Sequence, residues 1–541
     1  MTVCVACGLS ACSDQMGYKE YVVNDKEFID GNFSYVGGLM ATIYRQLDYD
    51  YGQVYGGAML ASATDESEYA YTGTSIEDFY NGAWSAANPK STMWTEMYKG
   101  ITYCNLVLDK FQGLTFPEHS FDLDYDKQMH RYENYKYEAR WARAYFYFNL
   151  LRQYGGVPLI TSDITVEESN LLKRADADAI FDFIESECDA IKNSIIEDYN
   201  KDSQVVEATE TGRADKLAVL ALKARAALYH ASPLFNPSND DQLWYEAALA
   251  QKELLDAAEA RGKRLAKTYN ILWDTNSYND IEATSEIIFE RRVGSVSTPE
   301  GYNFPIGIEG GKGGNCPTQN LVDAYETGDK RFSLTIAQNG DTQWPSNNKN
   351  ALETFFGGIN GQPLSGGTPT GYYLKKHCHS SIDLSADSKR KTDNHTWITF
   401  RLGEFYLNYA EAVFRYLGSA DATNSEFPLS AREAGSRTRE RAGLPAFDEG
   451  LSSADFWTKL TKERFVELAF EGHRFWDVRR WKEADKYFKS ITEMKLTKNE
   501  DGSITSTRQT VSRQWEDKMY LFPIPQTEMM KNKNLTQNPG W

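Results

Sequence analysis

The densest set of ionisable side chains lies near the end of the chain, where Glu467, Glu471, His473 and Asp477 place three carboxylates and an imidazole within eleven residues. General acid–base catalysis uses such groups, provided they share a cleft. Helical spacing argues otherwise. Phe465, Leu468, Ala469, Gly472 and Phe475 or Trp476 would form an inward apolar stripe, with Gly472 admitting a close helix contact. Arg464, Glu467, Glu471 and Arg474 then alternate in sign at steps of three and four, the spacing of intrahelical ion pairs. The segment reads as a structural charge network rather than a catalytic centre.

His377-Cys378-His379 offers three zinc-ligand types in a row. Adjacent residues seldom all chelate, and no second Cys or His cluster lies nearby, so the tripeptide reads as a surface loop and no metal or cofactor is assigned. Gly310-Gly311-Lys312-Gly313-Gly314 imitates a phosphate loop, but a Walker A motif needs Gly where Ile306 stands and Ser or Thr where Gly313 stands. Neither HExxH nor GxSxG occurs, which removes common metallopeptidase and α/β-hydrolase readings. Paired carboxylates of a glycosidase leave no sequence signature among 77 acidic residues.

The elements that would carry these groups are helical. In residues 137–154, Trp141, Ala144, Tyr145, Phe148 and Leu151 recur at three and four, and Gly155, Gly156 and Pro158 supply the stop. Residues 214–230 are rich in Ala and Leu and are followed by a second periodic run at 243–260. The pattern returns at 401–417 and 428–442, the latter stopped by Gly443 and Pro445. Such pairs resemble tetratricopeptide units, whose stacked neighbours share one core. Residues 49–88 and 293–380 differ. The first holds eight aromatic residues among small and acidic ones, the second is punctuated by Gly and Pro, and both read as long ordered loops.

Composition sets the outer bounds. The 541 residues are 41% hydrophobic and 25% charged, with 39 Gly and 16 Pro, which excludes disorder and collagen. With 58 Lys and Arg against 77 Asp and Glu, the net charge of −19 disfavours a nucleic acid partner. Tyrosine is the commonest aromatic residue, 33 beside 27 Phe and 12 Trp, and suits half-wet binding surfaces. At the front, Leu9-Ser10-Ala11-Cys12 follows a short apolar run and looks like a lipobox, so that residues 1–12 end at a lipidated Cys12. The run lacks a preceding Lys or Arg and is short for a secretory signal; a chance cysteine is the alternative. The four cysteines beyond it, Cys104, Cys188, Cys316 and Cys378, are scattered singly and read as small buried hydrophobes.

Several motifs carry a family resemblance in chain order. They are Glu138-Ala139-Arg140-Trp141-Ala142-Arg143-Ala144-Tyr145 with Gln153-Tyr154-Gly155-Gly156-Val157-Pro158-Leu159, then Pro317 to Asp323, Arg401 to Ala412 and Arg439 to Pro445. Arg464 to Trp481 and the ending Tyr520 to Trp541 complete the set. Together they resemble the RagB/SusD family of outer-membrane lipoproteins. The resemblance implies a mainly α fold of tetratricopeptide-like helix pairs, at about 90–260 and 400–490 within a body spanning 13–541, with ligand-binding loops at about 49–88 and 293–380. It also implies a lipid-anchored, surface-facing, non-enzymatic receptor that captures glycans for a SusC-like TonB-dependent transporter. The alternatives are a peptide ligand and a purely structural helical-repeat adaptor.

A sugar ring shows a flat patch of C–H bonds edged by hydroxyls, so its binder needs an open aromatic face beside polar groups. That requirement selects Asp65, Tyr69, Tyr71, Asn81 and Trp84 from the first loop region and Tyr302 and Trp344 from the second, with Glu66, Tyr80 and Phe304 as neighbours.

Overall fold

The computed structural model describes residues 31–90, 93–205, 208–386 and 391–541; the lipobox and Cys12 lie outside them. The longer helices are α1 (Phe33–Arg45), α2 (Met93–Lys110), α3 (Tyr125–Tyr154), α4 (Ala177–Ile191), α5 (Lys216–Ala231), α6 (Asp241–Ala260), α7 (Leu402–Leu417), α8 (Ala431–Arg441), α9 (Ser453–Glu467) and α10 (Arg474–Arg480). The periodic runs at 214–230, 243–260 and 401–417 lie within a few residues of α5, α6 and α7, and α3 begins well before residue 137. Its stop works as the glycines dictate. Gly155 adopts φ 71° while its N–H donates to the Leu151 carbonyl at 2.8 Å, and a Cβ on Gly156 would sit 2.1 Å from the Ala175 oxygen.

Each scaffold helix packs on its chain neighbour, α2 on α3, α3 on α4, α4 on α5 and α5 on α6. Small residues allow this closeness: Ala218, Ala221 and Ala224 are fully buried, and the Trp141 indole N–H donates to the Ala218 carbonyl at 3.1 Å. The next partner of α6 is α7, although residues 261–401 intervene. Helix α7 then receives α8 and α9. The repeat is therefore interrupted and resumed. Strand β2 (Ile287–Val296) pairs antiparallel with β6 (Asp393–Arg401), from Ile287↔Arg401 to Val296↔Asp393, which returns the chain to the point it left.

The periodicity points to no strand, yet short antiparallel pairs recur among the described residues. They join β1 (Ser67–Tyr69) to β3 (Asn315–Pro317), β4 (Ile336–Gln338) to β5 (Tyr372–Leu374), and β7 (Ser490–Lys498) to β8 (Ile504–Ser512). Three-residue strands are too brief for an alternating pattern to stand out, and their pairing partners are remote in sequence.

The C-terminal motif departs from the single helix expected. Helix α9 ends at Glu467, Phe470 and Gly472 take φ of 60° and 77°, and α10 starts afresh at Arg474. Most of its charges consequently reach long-range partners in the interior, while Asp477 pairs within the motif. Arg401 meets Glu286 at 2.8 Å, Glu467 at 2.7 Å and Glu471 at 2.7 Å; Arg331 meets Asp329 at 2.7 Å, Glu463 at 2.5 Å and Glu467 at 2.8 Å. Lys376 joins through Glu471 at 2.7 Å, and Asp477 bridges Arg464 and Arg480 at 2.6 and 2.9 Å. Burial alone would raise the Glu467 pKa, but the guanidinium groups of Arg441, Arg401 and Arg331 outweigh it and hold that carboxyl well below the usual range. This network ties the inserted residues 329–376 to the helices that follow them.

Candidate functional site

The β1–β3 ladder decides where the two aromatic loop regions meet. Ser67 faces Pro317, Glu68 faces Cys316 and Tyr69 faces Asn315, and the Ala70 N–H extends the pairing to the Gly314 carbonyl at 2.8 Å. Buried Asn315 knits the junction. Its Oδ1 accepts from the Met59 N–H at 2.8 Å and the Ser62 hydroxyl at 2.9 Å, while its Nδ2 donates to the Gly57 carbonyl at 3.1 Å and Asn303 Oδ1 at 2.8 Å. Tyr302, in the short helix Thr298–Asn303, is held by its own carbonyl, which accepts from the Gly314 N–H at 2.7 Å.

Three predicted rings gather here. Tyr69 and Tyr71 have centroids 5.6 Å apart, the Tyr71 hydroxyl donates to the Lys312 carbonyl at 2.8 Å, and the Lys312 ammonium lies 5.1 Å from the centre of the Tyr302 ring. Gly57, at φ 110°, passes so close that a Cβ would stand 2.3 Å from the Tyr69 hydroxyl and 2.9 Å from Tyr302 Cδ1. Tyr71 and Tyr302 are half-buried and Lys312 is exposed, whereas Tyr69 is buried and hydrogen-bonds the Gly56 carbonyl at 3.2 Å. Burial pushes the Tyr69 phenol up to about 12 and also raises Tyr71, so both stay protonated donors in neutral water. Beside them opens a groove of about 290 Å³ lined by Ser297, Thr298, Gly301, Tyr302, Gly310, Lys312 and Leu384.

The other predicted residues lie elsewhere. Trp84 is only 3% exposed, packed edge-to-face on Phe79, Phe522 and Trp541 at 4.8, 4.7 and 5.0 Å, with its N–H given to the Pro89 carbonyl. Trp344 is buried against Phe304 at 5.4 Å. Asp65 is buried and spent on a two-pronged pair with Arg474 at 2.8 and 2.7 Å. These three turn inward because long-range partners cover them. Asn81 is exposed but caps its own turn, accepting from the Ala83 N–H and donating to Asp78. The Tyr80 ring is covered by the Arg513 guanidinium at 4.2 Å. Lys312 belongs in sequence to a glycine-rich turn that fails the phosphate-loop pattern, and its place beside Tyr302 has no sequence signature. The His377-Cys378-His379 tripeptide is no surface loop but a buried segment: His377 Nε2 turns to the Phe470 carbonyl, the Cys378 thiol to that of Pro299, and the His379 ring stacks on His395, whose Nε2 lies 2.8 Å from Glu300 Oε1.

Other openings lie elsewhere among the described residues, one of them also of about 290 Å³ and lined by Tyr278, Arg292 and several carboxylates. A crevice of about 510 Å³ between Glu197 and Arg261 is lined by aliphatic and charged residues, without a ring. A smaller space of about 100 Å³ lies beneath Trp397 and Trp476, near Asp50 and His473. Burial lifts Asp50 there to about 6, against hydrogen bonds from the Leu60 and Gly52 N–H groups.

Relatives share this architecture. The chain is 25% identical over 425 residues to SusD-like protein P2 of Formosa agariphila, covering 75% of this chain and 73% of that one. Among solved structures, a SusD-like protein from Bacteroides fragilis superposes with a TM-score of 0.76 at 23% identity, over 95% of this chain and 98% of that one. A laminarin-binding SusD-like protein gives 0.66 at 21% identity, over 94% and 99%. A family model described as starch-binding and associating with the outer membrane matches residues 26–228, and none of the described helices is long and apolar enough to cross a membrane. The SusD family model matches residues 266–541, half of the chain, and the protein belongs to that family.

Proposed function

We propose that this chain is a non-catalytic glycan receptor whose ligand rests on Tyr71 and Tyr302 beside Lys312. One observation carries the reading: a β-ladder between remote segments sets half-buried Tyr71 against the backbone of Lys312, at the edge of a groove lined by Tyr302 and the Lys312 cation, the mixture a sugar ring requires. The described residues lining that groove include no carboxylate or imidazole, and glycoside hydrolysis ordinarily needs two carboxyl groups. Glu471, the tempting acid of the C-terminal motif, is enclosed with Arg401 and Lys376.

Lipidation at Cys12 would hold the receptor on the outer membrane facing outward, and a SusC-like TonB-dependent barrel would take the captured oligosaccharide. Family membership and the starch-binding, outer-membrane description of the matching model support this extension. A glycan array with the soluble chain lacking its first twelve residues tests the binding. Retention of an oligosaccharide without released product is expected. Cleavage products, or selective retention of peptides, would overturn it. Co-purification of a TonB-dependent barrel with the full-length chain from outer membranes tests the partnership.

A further inference from the structure

Phe356, Ile359 and Leu364 stand open to water on one short loop, with 65%, 49% and 50% of their surfaces exposed. Single exposed apolar residues are ordinary, but a group of them marks a binding surface. The loop that carries them is firmly tied. The Gly357 N–H donates to the Gln362 carbonyl at 2.7 Å, the Asn360 N–H to that of Glu353 at 3.1 Å and the Gly367 N–H to that of Leu364 at 2.8 Å. Asn360 Oδ1 accepts from the Glu353 N–H at 2.8 Å, and the Phe356 N–H reaches the Leu496 carbonyl of β7 at 2.8 Å. These bonds hold the apolar side chains outward, where a slack loop would fold them in.

The loop ends against the groove. Gly366, at φ 78°, passes so close that a Cβ would stand 2.6 Å from both the Tyr71 hydroxyl and the Lys312 carbonyl oxygen, the atoms whose hydrogen bond joins the two aromatic segments. Leu364 is two residues away. Further along the loop, Asn360 Nδ2 donates to the Ile306 carbonyl at 2.5 Å, and a Cβ on Gly307 would meet the Ile359 carbonyl oxygen at 2.9 Å. Ile306 and Gly307 lie between Tyr302 and Gly310, which both line the groove, so loop and groove share one backbone support.

We infer that residues 353–366 form an outlying subsite for further units of the glycan chain seated at Tyr71 and Tyr302, with Phe356 as its stacking ring; this rests on the glycan-receptor reading above. Phe356 is more open than either tyrosine and has no hydroxyl, so it offers a ring face rather than a hydrogen bond. Its apolar neighbours are separated by glycines and accompanied by half-buried Gln362 and exposed Ser365, which suits a ligand whose C–H faces are edged with hydroxyls. A receptor built in this way favours a polymer over its short fragments.

Native gels cast with soluble α-glucan, β-glucan, mannan, xylan or galactan find the polymer that retards the full-length chain, and calorimetry then compares that polymer with its short oligosaccharides. Phe356→Ala is expected to weaken polymer binding by about fivefold or more while leaving the shortest bound oligosaccharide within about twofold of wild type. Phe356→Trp, which keeps a ring, restores the polymer affinity, and unchanged denaturant unfolding shows that the fold is intact. Tyr302→Ala weakens both ligands. Undiminished polymer affinity in Phe356→Ala beside a weakened Tyr302→Ala would overturn the subsite and leave the receptor reading standing. So would loss of barrel co-purification in Phe356→Ala with polymer affinity intact, which would assign the loop to a protein partner. No retardation of the folded chain by any of the polymers would overturn the receptor reading and the subsite together.

Discussion

The Tyr71 hydroxyl donates to the backbone carbonyl of Lys312 at 2.8 Å, joining the two aromatic segments at the edge of the groove. The same lysine extends its ammonium over Tyr302. Removal of the Tyr302 ring by Tyr302→Ala is expected to weaken glycan binding by about tenfold or more, as loss of an aromatic anchor does. Lys312→Ala, which removes an exposed cation, is expected to cost only about two- to fivefold. Affinity electrophoresis against the glycan identified by array measures both; equal retention by Tyr302→Ala and wild type would displace the ligand from this groove.

Trp84→Ala gives the contrasting result. Its ring is enclosed by Phe79, Phe522 and Trp541, so truncation leaves a cavity and costs about 3–5 kcal/mol of stability. Denaturant unfolding should show the loss, while the fraction remaining folded keeps wild-type glycan affinity. Lost affinity at unchanged stability would return Trp84 to the binding surface.

Asp65→Ala leaves the Arg474 guanidinium buried without its carboxylate and is expected to destabilise the chain by about 3–5 kcal/mol. Arg474 is flanked by Phe465 and Tyr487, whose faces cannot replace a carboxylate. Thermal unfolding of Asp65→Ala beside the double variant Asp65→Ala/Arg474→Met tests the pair, the second variant recovering part of the loss.

Glu66 gives a pH signature. Burial pushes its carboxyl from 4.5 up to about 8, above the opposing effects of the Phe470 N–H, Arg474 and Lys376. The folded chain therefore holds a proton that the unfolded chain releases near its ordinary value. This contribution to stability is full below about pH 4.5 and is lost as the pH climbs toward 8. Glu66→Gln mimics the protonated form and lacks that dependence, so the wild type should lose stability relative to Glu66→Gln between pH 5 and 8. Parallel stability profiles for the two proteins would refute the assignment.

The interrupted scaffold shows why some of the molecule was legible. Helix α6 declares itself by a buried stripe, α5 and α7 by long runs of apolar, Ala- and Leu-rich helix formers that are buried almost all round, and Gly155-Gly156 ends α3 by local backbone geometry. The break at residues 468–473 was hidden. Its apolar and charged residues fit helical spacing, but their partners, Arg401, Arg331, Lys376 and Asp65, lie far off in the chain and pull them into a turn.

Local sequence determined the helical scaffold, its stops and, through ordered motifs, the family. It also marked the two aromatic segments, since composition is a property of a segment alone. Which rings meet water was decided only by tertiary structure. Trp84 and Tyr302 are both aromatic residues in irregular surroundings, yet Phe522 and Trp541 close over the first while the β1–β3 ladder leaves the second half-open. Glu300, His379 and His395 obey the same rule, because their buried cluster is made by chain crossings that no stretch of sequence encodes by itself.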